Sequence, residues 1–232
     1  CMAKVKLANI VTHCTRTLKP ESFEDWPGAA NGLQVENRGG VSRIAAAVDA
    51  TPATVKKTIS AGADLLIVHH GLFWGATHPW TGNRYKLLRL LLDNNVAVYS
   101  SHLPLDAHPR LGNNAQLCKA LDIKAAKPFF VERGQAIGLR GALNLTRAQL
   151  AKRLAKATGT EPTVLPGGSA RCRKVGVVTG GAKNSNQKWE PTMTWLETEF
   201  QMCFSLLPTG IFCALTGLKV LVLPQILQIS VV

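Results

Sequence analysis

Short apolar runs alternate with amphipathic stretches along most of this chain, which predicts strands alternating with helices. Ile44–Val48 and Leu65–Val68 have the length and the aliphatic content typical of buried strands. Between them, Thr51-Pro52 supplies an N-cap and a proline at the first helical position, and Gly62 supplies a stop. The order strand, capped helix, strand predicts a βαβ unit with two parallel strands.

The same periodicities continue on both sides of this unit. Further helices are predicted over residues 4–18, 85–92 and 111–121, and further strands over residues 96–100, 137–143 and 175–178. Thr146-x-x-Gln149 is a capping box that begins another helix, and Gly159 ends it. Strands and helices in this order predict an α/β fold.

Two adjacent histidines, His69 and His70, directly follow the strand Leu65–Val68. Open α/β sheets place their chemistry at the carboxyl ends of the strands. A second polar segment, Ser101-His-Leu-Pro-Leu-Asp106, follows the next predicted strand. Two neighbouring imidazoles can each bind a different metal ion, so these segments predict a site for two metal ions.

A dinuclear hydrolytic site needs several nitrogen or oxygen ligands, a bridging carboxylate and an open position for water. His69 and His70 can supply one nitrogen to each ion, and Asp106 can bridge or cap them. His102, four residues before Asp106, is a candidate to bind metal or to line the site. Such ligands suit Zn, Fe, Mn or Ni. The alternative is a structural histidine pair that hydrogen-bonds to the backbone.

Other polar residues carry weaker signals. His78 and His108 each lie beside a proline, which favours a surface role, and His13 lies on a predicted helix. Asp49 and Asp64 flank predicted strands, where the capping of turns accounts for them. The chain contains neither a Walker A motif nor a Rossmann glycine fingerprint.

The formal net charge is +13, with a sequence pI near 9.8. This charge makes nucleic acid or another polyanion a possible partner, although no run of basic residues is interleaved with aromatic ones. The six cysteines include no Cys-x-x-Cys pair, which argues against a zinc ribbon and favours reduced thiols in a cytoplasmic protein. The first twenty residues lack the long apolar run of a secretory signal.

The chain changes character after Gly181. Residues 183–232 contain three lysines, three acids and no histidine, so the whole net charge of +13 lies upstream. We therefore expect an N-terminal α/β lobe over residues 1–127 that carries both histidine motifs. The start of a second lobe is expected over residues 128–182, followed by an atypical apolar tail over residues 183–232.

The apolar run over residues 210–232 allows three interpretations. A buried C-terminal segment is the leading one, and we expect no membrane association. A transmembrane helix is the alternative, which Lys219 and Pro224 weaken because they interrupt the run. A shift of the reading frame near residues 183–190 is the third.

Three segments resemble, in order, the motifs of the NIF-three-like family: Asn31-Gly-Leu-Gln34, Asp64 to Trp74, and Ser101 to Asp106. Taken alone, the first of these fits either a pocket wall or a plain turn. Gly138-x-x-Gly141 and Val175 to Gly181 also resemble the family, so the resemblance covers about residues 4–182. Bacterial members are called GTP cyclohydrolase 1 type 2 homologues.

The resemblance implies two related α/β lobes with mixed sheets flanked by helices, a dinuclear metal site and a ring-shaped homohexamer. It implies that His69, His70 and Asp106 bind metal and that His102 lines the site. Family members also carry a late glycine-histidine segment followed by a glutamate, which completes the metal coordination. This chain has no histidine after His108.

The leading functional hypothesis is a metal-dependent hydrolase in which metal-activated water attacks a nucleotide or a similar substrate. In that hypothesis His102 orients groups or moves protons. The alternatives are a non-catalytic, metal-stabilised scaffold or regulator, a nucleic-acid-binding protein, and an inactive truncated family member.

Overall fold

The computed structural model describes residues 4–75, 78–159, 161–164, 169–179, 194–198 and 219–222. Contacts divide the chain into two units, residues 1–105 with 207–232 and residues 106–206. The predicted boundary between residues 127 and 128 lies inside a strand of the second unit, over Lys124–Glu132. Within the described residues, no helix combines the length and the apolar character needed to cross a bilayer.

The first unit is a mixed sheet with helices on both faces. Its strands are β1 (Val5–Lys6), β2 (Gly32–Val35), β3 (Gly40–Val41), β4 (Arg43–Asp49), β5 (Leu65–His70), β6 (Ala97–Ser100) and β11 (Lys219–Val222). Its helices are α1 (Leu7–Leu18), α2 (Pro52–Ser60) and α3 (Gly82–Asp93), with a 3₁₀ turn over Pro20–Ser22. A short helix, α4 (Leu103–Asp106), follows β6.

The main sheet has the strand order β11-β4-β5-β6-β2. Strand β4 pairs parallel with β5 and with β11, β5 pairs parallel with β6, and β2 joins β6 antiparallel. The predicted βαβ unit is therefore confirmed as β4-α2-β5. Strand β5 lies in the middle of the sheet and extends beyond the predicted Val68 to include both histidines.

Side chains that alternate along the strands form two cores, one on each face of the sheet. Leu66 and Val68 of β5 pack in the first core with residues from α2 and α3, among them Val55 and Leu91. Leu65 of β5 packs in the second core. That second core contains Leu7, Ile10, Cys14, Val41, Ile44, Ala97 and Tyr99. The unit is thus a three-layer α/β/α structure, with α1 on one face of the sheet and α2 and α3 on the other.

Local signals explain where these helices begin and end. The Oγ1 of Thr51 accepts a hydrogen bond from the backbone N–H of Thr54 at 3.1 Å, which confirms the predicted N-cap of α2. Helix α1 begins at Leu7 rather than at residue 4, because Val5 and Lys6 pair with β3. Strand β2 was missed, since it is a short edge strand that begins with Gly32.

The second unit is built on a four-stranded sheet of order β10-β9-β8-β7. Its strands are β7 (Lys124–Glu132), β8 (Gln135–Thr146), β9 (Arg171–Thr179) and β10 (Thr194–Thr198), and its helices are α5 (Asn113–Ala120) and α6 (Arg147–Thr158). The capping box is confirmed: Gln149 N–H donates to Thr146 Oγ1 at 3.2 Å, and Thr146 N–H donates to Gln149 Oε1 at 2.9 Å. Leu117, Leu150 and Val175 lie in the core between the helices and the sheet.

Strand β7 was missed for a clear reason. Its first five residues are exposed and include Lys124, Lys127 and Pro128, so they show no apolar alternation. Of the predicted tail over residues 183–232, the structure describes only β10 and β11. The predicted fold class, α/β with mixed sheets flanked by helices, is confirmed.

Asp64 fixes the start of β4, as its predicted capping role requires. Its Oδ2 accepts hydrogen bonds from the backbone N–H and the hydroxyl of Ser42 at 2.7 and 2.6 Å, and from the backbone N–H of Arg43 at 3.1 Å. Burial raises the pKa of Asp64, but these hydrogen bonds outweigh it and hold the pKa below its ordinary value.

We expect Asp64→Asn to lower the free energy of unfolding by about 1.5–3 kcal/mol at neutral pH, because hydrogen bonds to a charged acceptor are lost. Since the folded-state pKa is lowered, this stabilisation is present above the unfolded pKa of about 3.9 and disappears as the pH falls through the folded value. Urea unfolding at several pH values measures it, with the exposed Asp93→Asn as the control. If the variant remains less stable than the wild type by the same free energy of unfolding at every pH down to the acid limit, the stabilisation does not come from an ionised Asp64.

Candidate metal centre

Three histidines meet at the carboxyl edge of the first sheet. His69 and His70 end β5, and His102 follows the end of the neighbouring parallel strand β6. The ring centroid of His69 lies 4.7 Å from the centroid of His70 and 4.7 Å from that of His102. The centroids of His70 and His102 are 5.5 Å apart. One ring nitrogen from each histidine lies within 4.8 Å of the others, so the group could hold a metal ion.

Burial differs across the three rings. His69 is fully buried, His102 is 9% exposed, and the side chain of His70 is 37% exposed. Burial, together with the nearby His102 and His70, lowers the pKa of His69 well below its ordinary value, against the opposing effect of its hydrogen bond to Ser101. His69 is therefore a neutral imidazole at physiological pH, and one of its nitrogens carries a lone pair.

The hydrogen bonds show which nitrogen that is. His69 Nδ1 lies 3.0 Å from the carbonyl oxygen of Ser101. His70 Nδ1 lies 2.7 Å from Asp49 Oδ1, and His102 Nδ1 lies 2.7 Å from Asp25 Oδ1. A carbonyl or a carboxylate can only accept, so each Nδ1 must donate. In the neutral rings, the Nε2 atoms then carry the lone pairs that a metal ion needs.

Asp49 has a role that the sequence did not reveal. It was predicted only to cap a turn, yet its carboxylate binds His70 Nδ1. The parallel register explains this contact, because Asp49 of β4 lies directly beside His70 of β5. A carboxylate that anchors a histidine in this way is typical of metal centres, where it fixes the ring and raises its basicity.

Asp25 was also missed as a site residue, whereas Asn31 belongs to the segment that was interpreted as either a pocket wall or a plain turn. Asp25 accepts from His102 Nδ1, and Asn31 Oδ1 accepts from the backbone N–H of His102 at 2.7 Å. Burial raises the pKa of Asp25, but hydrogen bonds from His102, Asn31 and Trp26 and the charge of His102 outweigh it and lower the pKa. No local pattern could have revealed the contact, since 77 residues separate Asp25 from His102.

The loop after β5 is held close to β2 by Gln34, a residue of that strand. Gln34 Oε1 accepts from the backbone N–H of Leu72 at 2.7 Å, while Gln34 Nε2 donates to the carbonyl of Ala30 at 2.6 Å. The loop that Gln34 holds contains Trp74, whose ring centroid lies 5.1 Å from that of His70 and 4.6 Å from that of His102. The indole is 42% exposed, so it lies at the border between the histidines and solvent.

Asp106 is the last residue of α4 and is 3% exposed. Its Oδ1 accepts a hydrogen bond from Asn113 Nδ2 at 2.6 Å. Among the described residues, the group of possible ligands within 4.8 Å contains the three histidines and not Asp106. Metal binding by Asp106 and the presence of a second ion therefore stay predictions.

The remaining predicted histidines lie elsewhere. His78 is exposed, in agreement with its expected surface position. The Nδ1 of His108 accepts from the backbone N–H groups of Arg110 and Leu111 at 3.2 and 3.0 Å, so it caps a turn.

Comparison with known proteins identifies the family. A sequence profile of Duf34/NIF3 (NGG1p interacting factor 3) matches residues 5–190. The chain belongs to this family. One Duf34/NIF3 relative, a GTP cyclohydrolase 1 type 2 homolog from Halobacterium salinarum, is 45% identical over 180 residues, which make up 75% of this chain and 70% of that protein.

Two further comparisons agree with this assignment to Duf34/NIF3. A GTP cyclohydrolase 1 type 2 homolog from Deinococcus radiodurans is 41% identical over 152 residues, and this match covers 65% of the chain but only 58% of the relative. The crystal structure of TTHA1606 from Thermus thermophilus superposes with a TM-score of 0.84 at 28% identity, covering 97% of this chain and 100% of that one.

The backbone of Gly28 lies close to that of Gly75, in the loop after β5, and a substitution at Gly28 tests whether the two backbones must approach each other this closely. A Cβ added at Gly28 would lie 1.9 Å from the carbonyl oxygen of Gly75, and the φ of Gly28 is +78°. We expect Gly28→Ala to separate the loops and to lower the free energy of unfolding by about 1–3 kcal/mol more than a substitution with backbone strain alone. Gly39→Ala is the matched control, because its φ is +91° and nothing lies within 4 Å of its added Cβ. Equal losses in the two variants, measured by urea unfolding, contradict the close approach.

Proposed function

We propose that this chain is a metal-dependent hydrolase of the Duf34/NIF3 family, with a dinuclear site held by His69, His70 and Asp106. The observation that carries the proposal is the group of three histidines, which bring one ring nitrogen each within 4.8 Å of the others and whose Nδ1 atoms each meet an oxygen acceptor. A structural histidine pair would need only the backbone hydrogen bonds. Here two of the three anchors are carboxylates, which is the arrangement that metal centres use to orient their ligands.

The donor set fits a divalent ion of borderline character. Imidazole nitrogens combined with a carboxylate suit Zn, Fe, Mn or Ni. Burial keeps His69 neutral, so its lone pair is not lost to a proton at physiological pH. Bound there, two divalent ions would supply Lewis-acid activation of water and of the substrate.

His102 and Trp74 have separate proposed roles beside the ligands. His102 is the group that accepts or returns a proton at Nε2, since Asp25 holds its Nδ1–H. Trp74 contacts the rings of His70 and His102 and limits the access of water to them. A drier site strengthens the electrostatic interactions of the charged groups in it.

The proposed substrate is a nucleotide or a closely similar compound. Support comes from the relatives, whose name is GTP cyclohydrolase 1 type 2 homolog. The matches reach 58% and 70% of the lengths of two of these relatives, so the activity of the whole protein is part of the proposal. Assembly into a homohexamer and a cytoplasmic location belong to the same proposal.

Metal content gives the first test. We expect about two equivalents of divalent metal per subunit, as in dinuclear hydrolytic sites, and loss of nearly all of it in His69→Ala/His70→Ala. His78→Ala, which changes an exposed histidine, is the control and should keep the wild-type content. Elemental mass spectrometry of the purified full chain measures this. About one equivalent refutes the dinuclear arrangement, and none refutes the metal centre.

Turnover gives the second test. We expect consumption of GTP that depends on added metal, with kcat lowered by about 10²–10⁴-fold in His102→Ala because a general acid–base group is lost. The metal content of this variant should stay at the wild-type level. A loss of metal would instead place His102 among the ligands. A wild-type protein that holds metal but turns over no nucleotide is the outcome expected of a metal-stabilised scaffold.

A further inference from the structure

We propose that Asp25 is a positioning residue that fixes His102 in the Nδ1–H tautomer and aims its Nε2 lone pair at His69 and His70. The tautomer follows from the hydrogen bond to Asp25, and the orientation is argued from that bond together with the grouping of the three histidines. Only the catalytic consequence rests on the proposed function.

The contact between Asp25 and His102 is short and shielded from water. Asp25 Oδ1 lies 2.7 Å from His102 Nδ1, and the two side chains are only 5% and 11% exposed. A hydrogen bond between a charged acceptor and a ring donor is stronger in such surroundings than at the surface. The ring of His102 therefore has one preferred orientation.

Four donors converge on this carboxylate. Oδ1 accepts from His102 Nδ1 and from the backbone N–H of Trp26, both at 2.7 Å. Oδ2 accepts from Asn31 Nδ2 at 2.7 Å and from the backbone N–H of Leu103 at 3.2 Å. An ionised carboxylate is acceptor-only at both oxygens, whereas an amide or a hydroxyl would turn a donor toward at least one of these groups. The position therefore requires an acid.

Asn31 completes the arrangement. It donates to Asp25 through Nδ2 and accepts the backbone N–H of His102 through Oδ1 at 2.7 Å. Both the ring and the main chain of His102 are thus held by one segment, residues 25–31. Because the ring cannot rotate without breaking the bond to Asp25, it keeps one orientation beside the other two histidines, whose ring centroids lie 4.7 and 5.5 Å away.

Asp25→Asn discriminates between positioning and simple bracing of the loop. The new amide nitrogen can face either His102 and Trp26 or Asn31 and Leu103. The first orientation conflicts with fewer donors, because His102 can move its proton from Nδ1 to Nε2 and accept instead. We therefore expect the variant to switch the tautomer of His102, which a purely bracing residue would not do.

The tautomer is measured by ¹⁵N NMR of the imidazole nitrogens in metal-free full-length protein, with the His102 signals assigned by their absence in His102→Gln. The wild type should show Nδ1–H and Asp25→Asn should show Nε2–H. Asp93→Asn, an exposed acid hydrogen-bonded to Arg89, is the control and should leave the His102 signals unchanged. An Nε2–H tautomer in the wild type overturns the proposal even if no variant folds.

Kinetics supply the second readout. We expect Asp25→Asn to lower kcat for GTP by about 100-fold or more, with unchanged metal content, because its His102 presents a proton where a lone pair is needed. Asp25→Glu keeps an acceptor-only group and should restore part of the activity. A decrease in kcat no larger than the decrease in folded protein overturns the catalytic consequence. A tautomer switch in a protein without turnover leaves the positioning intact and refutes the proposed function instead.

Discussion

The parallel register of β4, β5 and β6 is the constraint on which the site depends. It places Asp49 beside His70 and Val68 beside Ser100, so that the ends of the strands deliver their polar residues to one edge. The apolar residues that precede these ends secure the register, since a slip by one residue would turn Leu66 and Val68 away from their core. The stability of the first core and the geometry of the histidines therefore have a common origin.

Oxygen acceptors then fix the tautomers of the three clustered histidines, so that in the neutral rings the lone pair lies on Nε2. Each Nδ1 faces an atom that cannot donate, namely a carbonyl for His69 and carboxylates for His70 and His102. One ring nitrogen of each histidine lies within 4.8 Å of the others, and burial of His69 beside the other two rings lowers the pKa of His69 well below its ordinary value. A buried, neutral imidazole keeps a lone pair that a cation can bind, which connects the burial of His69 to the proposed function.

Strand β2 and the segment that precedes it supply the second half of the support. Asp25 and Asn31 hold His102, while Gln34 holds the loop that carries Trp74. Residues within one short edge strand and just before it thereby fix groups that follow two different strands. The family resemblance at residues 31–34 thus has a physical basis in contacts that a turn alone would not need. Membership of the Duf34/NIF3 family, shown over residues 5–190, fits a site whose parts are spread along the sequence.

The sequence by itself determined the βαβ unit, the helix caps at Thr51 and Thr146, and the position of His69 and His70 at a strand end. These features depend on local periodicity and on neighbours within a few residues, which a single sequence displays. Only the tertiary structure revealed Asp25 and Asp49 as the anchors of two histidines, and β7 as a strand. Those contacts join residues far apart in the chain, and their geometry is set by strand pairing and packing, which leave no local pattern to read.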